Sequence, residues 1–441
     1  MIKYICDGDI SKIPIGTTHL IFNDDFNEEI YNLPNSITHL TFGKNFNKSI
    51  YNFYGTLTNI FVKDYVKINK LPNSITHLTF GSYFNQCVDY LPNSITHLTF
   101  GSYFNQCVDY LPNSITHLTF GMNFNQSVDK LSNSITHLTF GFYFNQPVDN
   151  LPNSITHLTL GNDFNQPVDN LPNSITHLIL GNDFNQPVDN LPNSITHLNL
   201  GHEFNKSVDN LPNSIIYLTF AWKFNKSVDN LPNSITHLTF GFYFNKLVDN
   251  LPNSITHLTF GHNFNKSVDN LPTSITHLSF NWCFNQSVSN LPRSIKYLIF
   301  GHNFKQPINN LPNSILYLSL NYYCKEINNL SNSIVYLTMI NHKDINNIPN
   351  TTIMFISYNF YLLNIEILKN KYILFIDKTI CYAHNNIIMK LDFACDIFVY
   401  QRCFTQEILF EKLTQYVFNP QRLLRFAEKY NLTIDEYIDF L

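Results

Sequence analysis

Twelve of the chain's 17 histidines fall in one recurring column: His19, His39, His77, His97, His117, His137, His157, His177, His197, His237, His257 and His277. Imidazole in such an array points first to metal binding. Tyr217, Tyr297, Tyr317 and Tyr336 interrupt and continue the column, however, and it offers no acid or thiol to complete a ligand set. A ladder of stacked side chains, in which Tyr can stand for His, is the favoured reading, with metal the lesser one. Charged imidazoles about 5 Å apart would repel by about 1 kcal/mol or more per neighbouring pair. Neutral histidines at pH 7, and a fold that loosens as they protonate, are therefore expected.

Two other recurrences invite chemistry. Asp89, Asp109, Asp129, Asp149 and so on to Asp269 form a carboxylate column, but each unit supplies one acid, usually followed by Asn, which is too sparse for calcium. Hydrogen bonds from turn amides are the expected use of these carboxylates. Ser74, His77 and Asp89 also appear together in nearly every unit. A nucleophile, base and acid need one preorganised pocket, and a set copied a dozen times along an open sheet reads as a structural ladder. No catalytic residue, no cofactor and no metal is expected, and the chain is read as not an enzyme. Of eight cysteines, Cys87 and Cys107 share a column and the rest are scattered, with neither a CxxC pair nor a disulfide framework.

The element that positions these columns is a 20-residue unit. From Leu71 the sequence LPNSITHLTFGSYFNQCVDY repeats identically at Leu91, and its frame holds through the unit starting at Leu311. Earlier units begin at Ile13, Leu33 and, degenerately, Phe53; later ones begin at Leu330 and Ile348, for about 18 coils in all. Within a unit, Thr76 to Phe80 alternates polar and apolar residues, which predicts a half-buried strand with Leu78 and Phe80 inward and His77 and Thr79 outward. The column after the strand holds 11 of the 14 glycines, as a positive φ would require. Asn281 and Asn321 suit such a position, while Ala221 does not. Phe84, Val88, Leu91 and Ile95 line the return path, and Pro92 fixes a turn.

Burying about six apolar side chains contributes roughly 10 kcal/mol per coil, against roughly 20 to 40 kcal/mol of backbone ordering. A lone coil cannot fold, so stability must come from stacking on neighbours.

What varies between units is the pair after the glycine column: Ser82-Tyr83, Met122-Asn123, Phe142-Tyr143, Asn162-Asp163, His202-Glu203, Trp222-Lys223, Phe242-Tyr243, His262-Asn263 and Trp282-Cys283. A position that accepts Trp, Asp, Lys and Phe is expected to be exposed at the rim of the sheet. Tyr83, Tyr103, Phe142, Tyr143, Trp222, Phe242, Tyr243 and Trp282 are the candidate partner-binding residues, since exposed aromatic rows mark binding hot spots. Packing of these rings on one another across coils is the equal alternative.

Charged residues are 13% of the chain and the net charge is -5, which disfavours nucleic acid. No signal-peptide core or membrane-spanning run is read, so a cytoplasmic protein is expected. After Ile365 the period fades. Lys371 to Ile376 reads as a strand, and from Thr405 the pattern turns helical, with Asn419-Pro420 and the capping box Thr433 to Glu436 opening further helices.

The motif LPNSITHLTFG followed by FNQPVDN closely resembles the FNIP repeat family, a leucine-rich-repeat-like group found in amoebae and in large viruses that infect them; the resemblance covers about four fifths of the chain. It implies a leucine-rich-repeat-like solenoid with one parallel sheet, in which Ile75, Leu78 and Phe80 are buried. The usual asparagine just after the strand is replaced by a variable residue, with Phe84-Asn85 following, which raises the question of whether Asn85 carries the internal hydrogen-bond ladder. Many relatives carry an F-box; no such motif is found here. The expected organisation is an N-terminal capping strand (1–12), the solenoid (13–365), and a degenerate strand region with a helical cap (366–441). The expected function is a protein-protein interaction scaffold using the sheet face and its aromatic rim, with host proteins as partners. A purely structural or self-associating spacer is the alternative.

Overall fold

The computed structural model describes residues 1–54, 66–69, 71–320, 330–339, 353–356, 373–377, 379–384 and 387–391. It divides into two units, Met1–Thr352 and Ile353–Leu441. In the first, strand β1 (Lys3–Cys6) pairs in parallel with β2 (His19–Phe22), and β2 with β3 (His39–Thr41). Strands β4 (Tyr51–Tyr54) and β5 (Val66–Asn69) then form a separate antiparallel pair. The main sheet resumes at β6 (His77–Thr79) and continues, one strand per coil, to β19 (Tyr336–Met339). The result is a parallel sheet of 17 strands on a leucine-rich-repeat-like solenoid of about 15 turns of about 20 residues.

The coil expected to start at Phe53 does not join this stack, because β3 pairs directly with β6 in the register His39↔His77. In the frame of the repeat this segment has Phe53-Tyr54 where others have Leu-Pro, and Lys63 on the glycine column. At its glycines that column is closely approached by the preceding coil: a Cβ on Gly101 would sit 2.0 Å from the carbonyl oxygen of Gly81, and one on Gly181 would sit 1.7 Å from that of Gly161. The same observation corrects the expected reason for the glycines. Among the described residues, positive φ occurs at Gly8, Gly16 and Asn32, and at no glycine of the column. Close approach of successive coils selects glycine here, so the torsional objection to Ala221 falls away.

Each coil buries the apolar positions that its alternation predicts. Ile75, Leu78, Phe80, Phe84, Val88 and Leu91 are all buried, and their equivalents repeat along the stack. Phe84 and its counterparts make a continuous internal ladder, with ring centroids 6.0 to 6.2 Å apart from Phe184 to Phe264. Coils are locked by polar bonds as well. The Pro-Asn-Ser turn closes through Ile95 N–H donating to Pro92 O at 3.2 Å. Ser94 Oγ then donates to Ile75 O of the preceding coil at 2.6 Å.

In the second unit, β20 (Ile353–Ile356) pairs in parallel with β21 (Ile373–Asp377). Strand β21 pairs antiparallel with β22 (Thr379–His384), and β22 with β23 (Ile387–Leu391). The residues described from the coil expected at Ile348 thus belong to this unit. The helices expected from Thr405 onward lie outside the described residues. Among the described residues no helix is long and apolar enough to cross a membrane.

Candidate recognition surface

The outward face of the sheet carries the histidine column as a stack. From His77 to His177, adjacent imidazole centroids lie 4.1 to 4.2 Å apart with planes about 12° off parallel. Tyr217 continues the stack at 4.4 Å from His197 and 4.3 Å from His237. Hydrogen bonding fixes the imidazole edge. Thr96 Oγ1 lies 2.9 Å from His97 Nδ1 and 3.2 Å from Thr76 O. The hydroxyl donates to that carbonyl, which also accepts Thr96 N–H at 2.8 Å and His97 N–H at 3.0 Å, and the hydroxyl oxygen stands against the imidazole edge.

Burial in the stack, and then repulsion from neighbouring imidazoles, hold His39, His117, His157, His177, His197 and His237 below their ordinary 6.5. Burial alone lowers His257. His77 and His277 are pushed down to about 4 by the same burial and neighbouring rings.

The variable pair after each strand stands at the rim beside this stack. Tyr83, Tyr103, Phe142, Tyr143, Trp222, Tyr243 and Trp282 are all between 41% and 50% exposed, while Phe242 is half-buried. The rings also touch across coils. Tyr83 stacks on Tyr103 at 5.1 Å, Trp222 on Phe242 at 4.8 Å, and Trp282 on His302 at 4.2 Å. Phe142 and Tyr143 meet edge to face within one coil. His262 fills the gap between Phe242, at 4.2 Å, and Trp282, at 5.7 Å. A run of rings thus extends from Trp222 to His302, with His202 tilted against its start. The sequence reading passed over His202, His262 and His302 as site residues, although each lies in the variable pair. The signal was their column, which alternates His with Trp and Phe at one-coil steps.

Ser74, His77 and Asp89 do not form a reactive set. Ser74 Oγ donates to Ile37 O at 2.6 Å, and His77 Nδ1 is engaged by Thr76 Oγ1. The carboxylate column binds side chains rather than turn amides, contrary to expectation: Asp229 Oδ1 accepts from Asn250 Nδ2 at 3.2 Å, and the pattern recurs along the stack. Among the described residues no three histidine, cysteine or acidic side chains are grouped to hold a metal ion.

Asn85 does carry the internal ladder. Asn105 N–H donates to Asn85 Oδ1 at 2.9 Å, Asn125 N–H to Asn105 Oδ1, and so on to Lys305 N–H on Asn285 Oδ1. Replacing Asn165 by alanine removes the side-chain acceptor of Asn185 N–H, which donates to it at 2.9 Å at a position water can reach. A loss of about 0.5–1.5 kcal/mol is expected in urea unfolding.

A family model described as FNIP Repeat matches this chain over residues 9–53, 66–123 and 124–323 in overlapping segments. Among solved structures, CroV588, from a giant virus and described as a novel circular LRR protein structure, is 43% identical with a TM-score of 0.72. The match covers 84% of this chain and 58% of that one, so this chain spans little more than half of that relative. YopM from Yersinia enterocolitica WA-314 is 16% identical with a TM-score of 0.41, over 85% of this chain and 84% of that one. No curated protein matches the sequence.

Proposed function

Because this chain belongs to the FNIP repeat family and folds as a leucine-rich-repeat-like solenoid, we propose that it is a non-catalytic scaffold that holds protein partners on the sheet face and its aromatic rim. One observation carries this reading. Trp222 and Trp282, the chain's two tryptophans, sit two-fifths to one-half exposed in the same row, on coils that keep the buried columns of the repeat unchanged. Such rings already stack on neighbours, so they are held rigid before a partner arrives, which lowers the ordering cost of binding. Preorganised aromatics of this kind anchor interfaces.

The partners proposed are host-cell proteins, in keeping with the viral origin of the relative, and the place of action is the cytoplasm. Support for the latter is that the described cysteines, Cys6, Cys87, Cys107 and Cys283, are free thiols. Affinity capture from host-cell lysate with the wild-type protein and with a Trp222→Ala/Trp282→Ala variant tests the proposal. Proteins retained by the wild type and reduced at least about tenfold on the folded variant are expected, the loss of two anchors being sufficient. The mutual stacking of the rim is what a structural spacer would also need, and identical captures by the two proteins would favour that reading.

A further inference from the structure

One end of the main sheet is β1, and among the described residues this strand has a single neighbour, β2. The carbonyl of Ile2 accepts Thr18 N–H at 2.9 Å and His19 N–H at 3.1 Å, and that of Cys6 accepts Asn23 N–H at 3.0 Å. In a parallel ladder alternate residues bond to the same side, so the N–H and C=O of Lys3 and Ile5 point away from β2, off the end of the sheet. An open edge of this kind is a template for another strand. Apolar side chains surround it. Ile5 is 62% exposed, Ile2, whose side chain ends over Gly16, is 49% exposed, and Ile15, the residue before that glycine, is 99% exposed.

We propose that this edge joins a second copy of the chain, β1 lying antiparallel to its counterpart about a two-fold axis at Ile5. The charges select both the partner and the register. Side chains alternate along a strand, so Lys3, Ile5 and, one residue past the end of β1, Asp7 share a face, and all three are exposed. Among the described residues neither Lys3 nor Asp7 has an ion-pair partner in its own chain, whereas Asp9, the next acid, is engaged by Ser11 and Lys12. About an axis at Ile5, Lys3 faces the second copy's Asp7, Asp7 faces the second copy's Lys3, and the two Ile5 side chains meet, each pair about 5 Å apart at Cβ. Ile5 is also a residue whose backbone groups the edge leaves free, so the pair at the axis exchanges both of its N–H to C=O bonds. Parallel pairing in register would set Lys3 against Lys3, and sliding the antiparallel register by two residues in either direction would set Ile5 against a charge. Such an isologous contact closes at two copies.

This contact is separate from the aromatic rim, and its test needs no rim partner. Sedimentation equilibrium of the full-length protein at pH 7 and low salt, across the micromolar range, is expected to show a mass that rises with concentration to twice that of the chain and no further. Lys3→Asp and Asp7→Lys each turn two attractive pairs into two repulsive ones, and each alone is expected to weaken the dimer at least about tenfold. An equimolar mixture of the two variants restores opposite charges at both positions and is expected to dimerise like the wild type. Should either variant lower the urea midpoint, and so disturb the first coil, Ile5→Asp and Ile5→Lys repeat the test at the axis: each alone monomeric, the mixture dimeric. A wild type that stays monomeric or grows beyond two copies, variants that dimerise as it does, or a mixture no tighter than its components would overturn the proposal.

Discussion

Replacing Phe184 by alanine is expected to lower the unfolding free energy by about 3–5 kcal/mol, the range for a large aromatic removed from a close-packed interior. Phe184 is fully buried and stacks on Phe164 and Phe204, both 6.2 Å away, so its loss opens a gap facing two coils at once. The wall cannot easily collapse, because the main chain on either side is tied by the Asn185 and Asn205 ladder bonds and by the strand register at His177↔His197. Nearest-neighbour coupling also means that a weak coil at the centre separates the stack into two arms. Urea unfolding followed by circular dichroism should show a lower midpoint and a broadened or divided transition. Lys226→Ala, at an exposed position, should stay within about 0.5 kcal/mol of wild type.

Acidification from pH 7.5 to pH 5 is expected to lower the urea midpoint by on the order of 1 M. The histidine ladder supplies the effect. In the unfolded chain each imidazole protonates near 6.5, whereas in the stack His77 and His277 wait until about 4, and seven further ladder histidines, His39, His117, His157, His177, His197, His237 and His257, are also displaced downward. Between those values the unfolded chain binds more protons than the folded one, so stability falls as pH falls through the window and is fully present above 6.5. Carboxylates do not imitate this. Asp109, paired with Lys130, is held below its ordinary 3.8, so its stabilisation is lost only beneath the histidine window. Because Tyr217 takes a histidine's place in the stack between His197 and His237, His157→Tyr/His177→Tyr should retain the fold and weaken the pH dependence. Equal midpoints at the two pH values in the wild type would remove the ladder from this account.

The solenoid was readable from the sequence because its alternation is local and repeated: Leu78 and Phe80 face inward and His77 and Thr79 outward in every strand, which a period of two requires. Ladder contacts were less accessible. Asn85 bonds to a residue one coil away, and only a stacked neighbour turns a recurrent asparagine into a hydrogen-bond acceptor. The glycine column misled for a similar reason. A run of glycines suggests torsion, but Gly101 is required by the carbonyl of Gly81 on the coil beside it, a contact with no trace within one unit. Phe53 shows the opposite failure, in which the period persists while its chemistry does not: spacing alone placed a coil there, and the bulky residue on the glycine column argues against it. The rim was half legible. Exposure of Trp222 and Trp282 followed from variability, yet the insertion of His262 between Phe242 and Trp282 depended on the register between coils.

Since both tryptophans lie on the rim, acrylamide quenching of their fluorescence reports on the proposed surface without a label. The most direct measurement compares quenching of the wild-type protein alone with quenching when it is saturated by a partner recovered in the capture experiment. The account predicts that the partner lowers the quenching constant by about half or more, because an anchor ring is desolvated on binding. An unchanged quenching constant at saturation would contradict it and place recognition elsewhere on the solenoid.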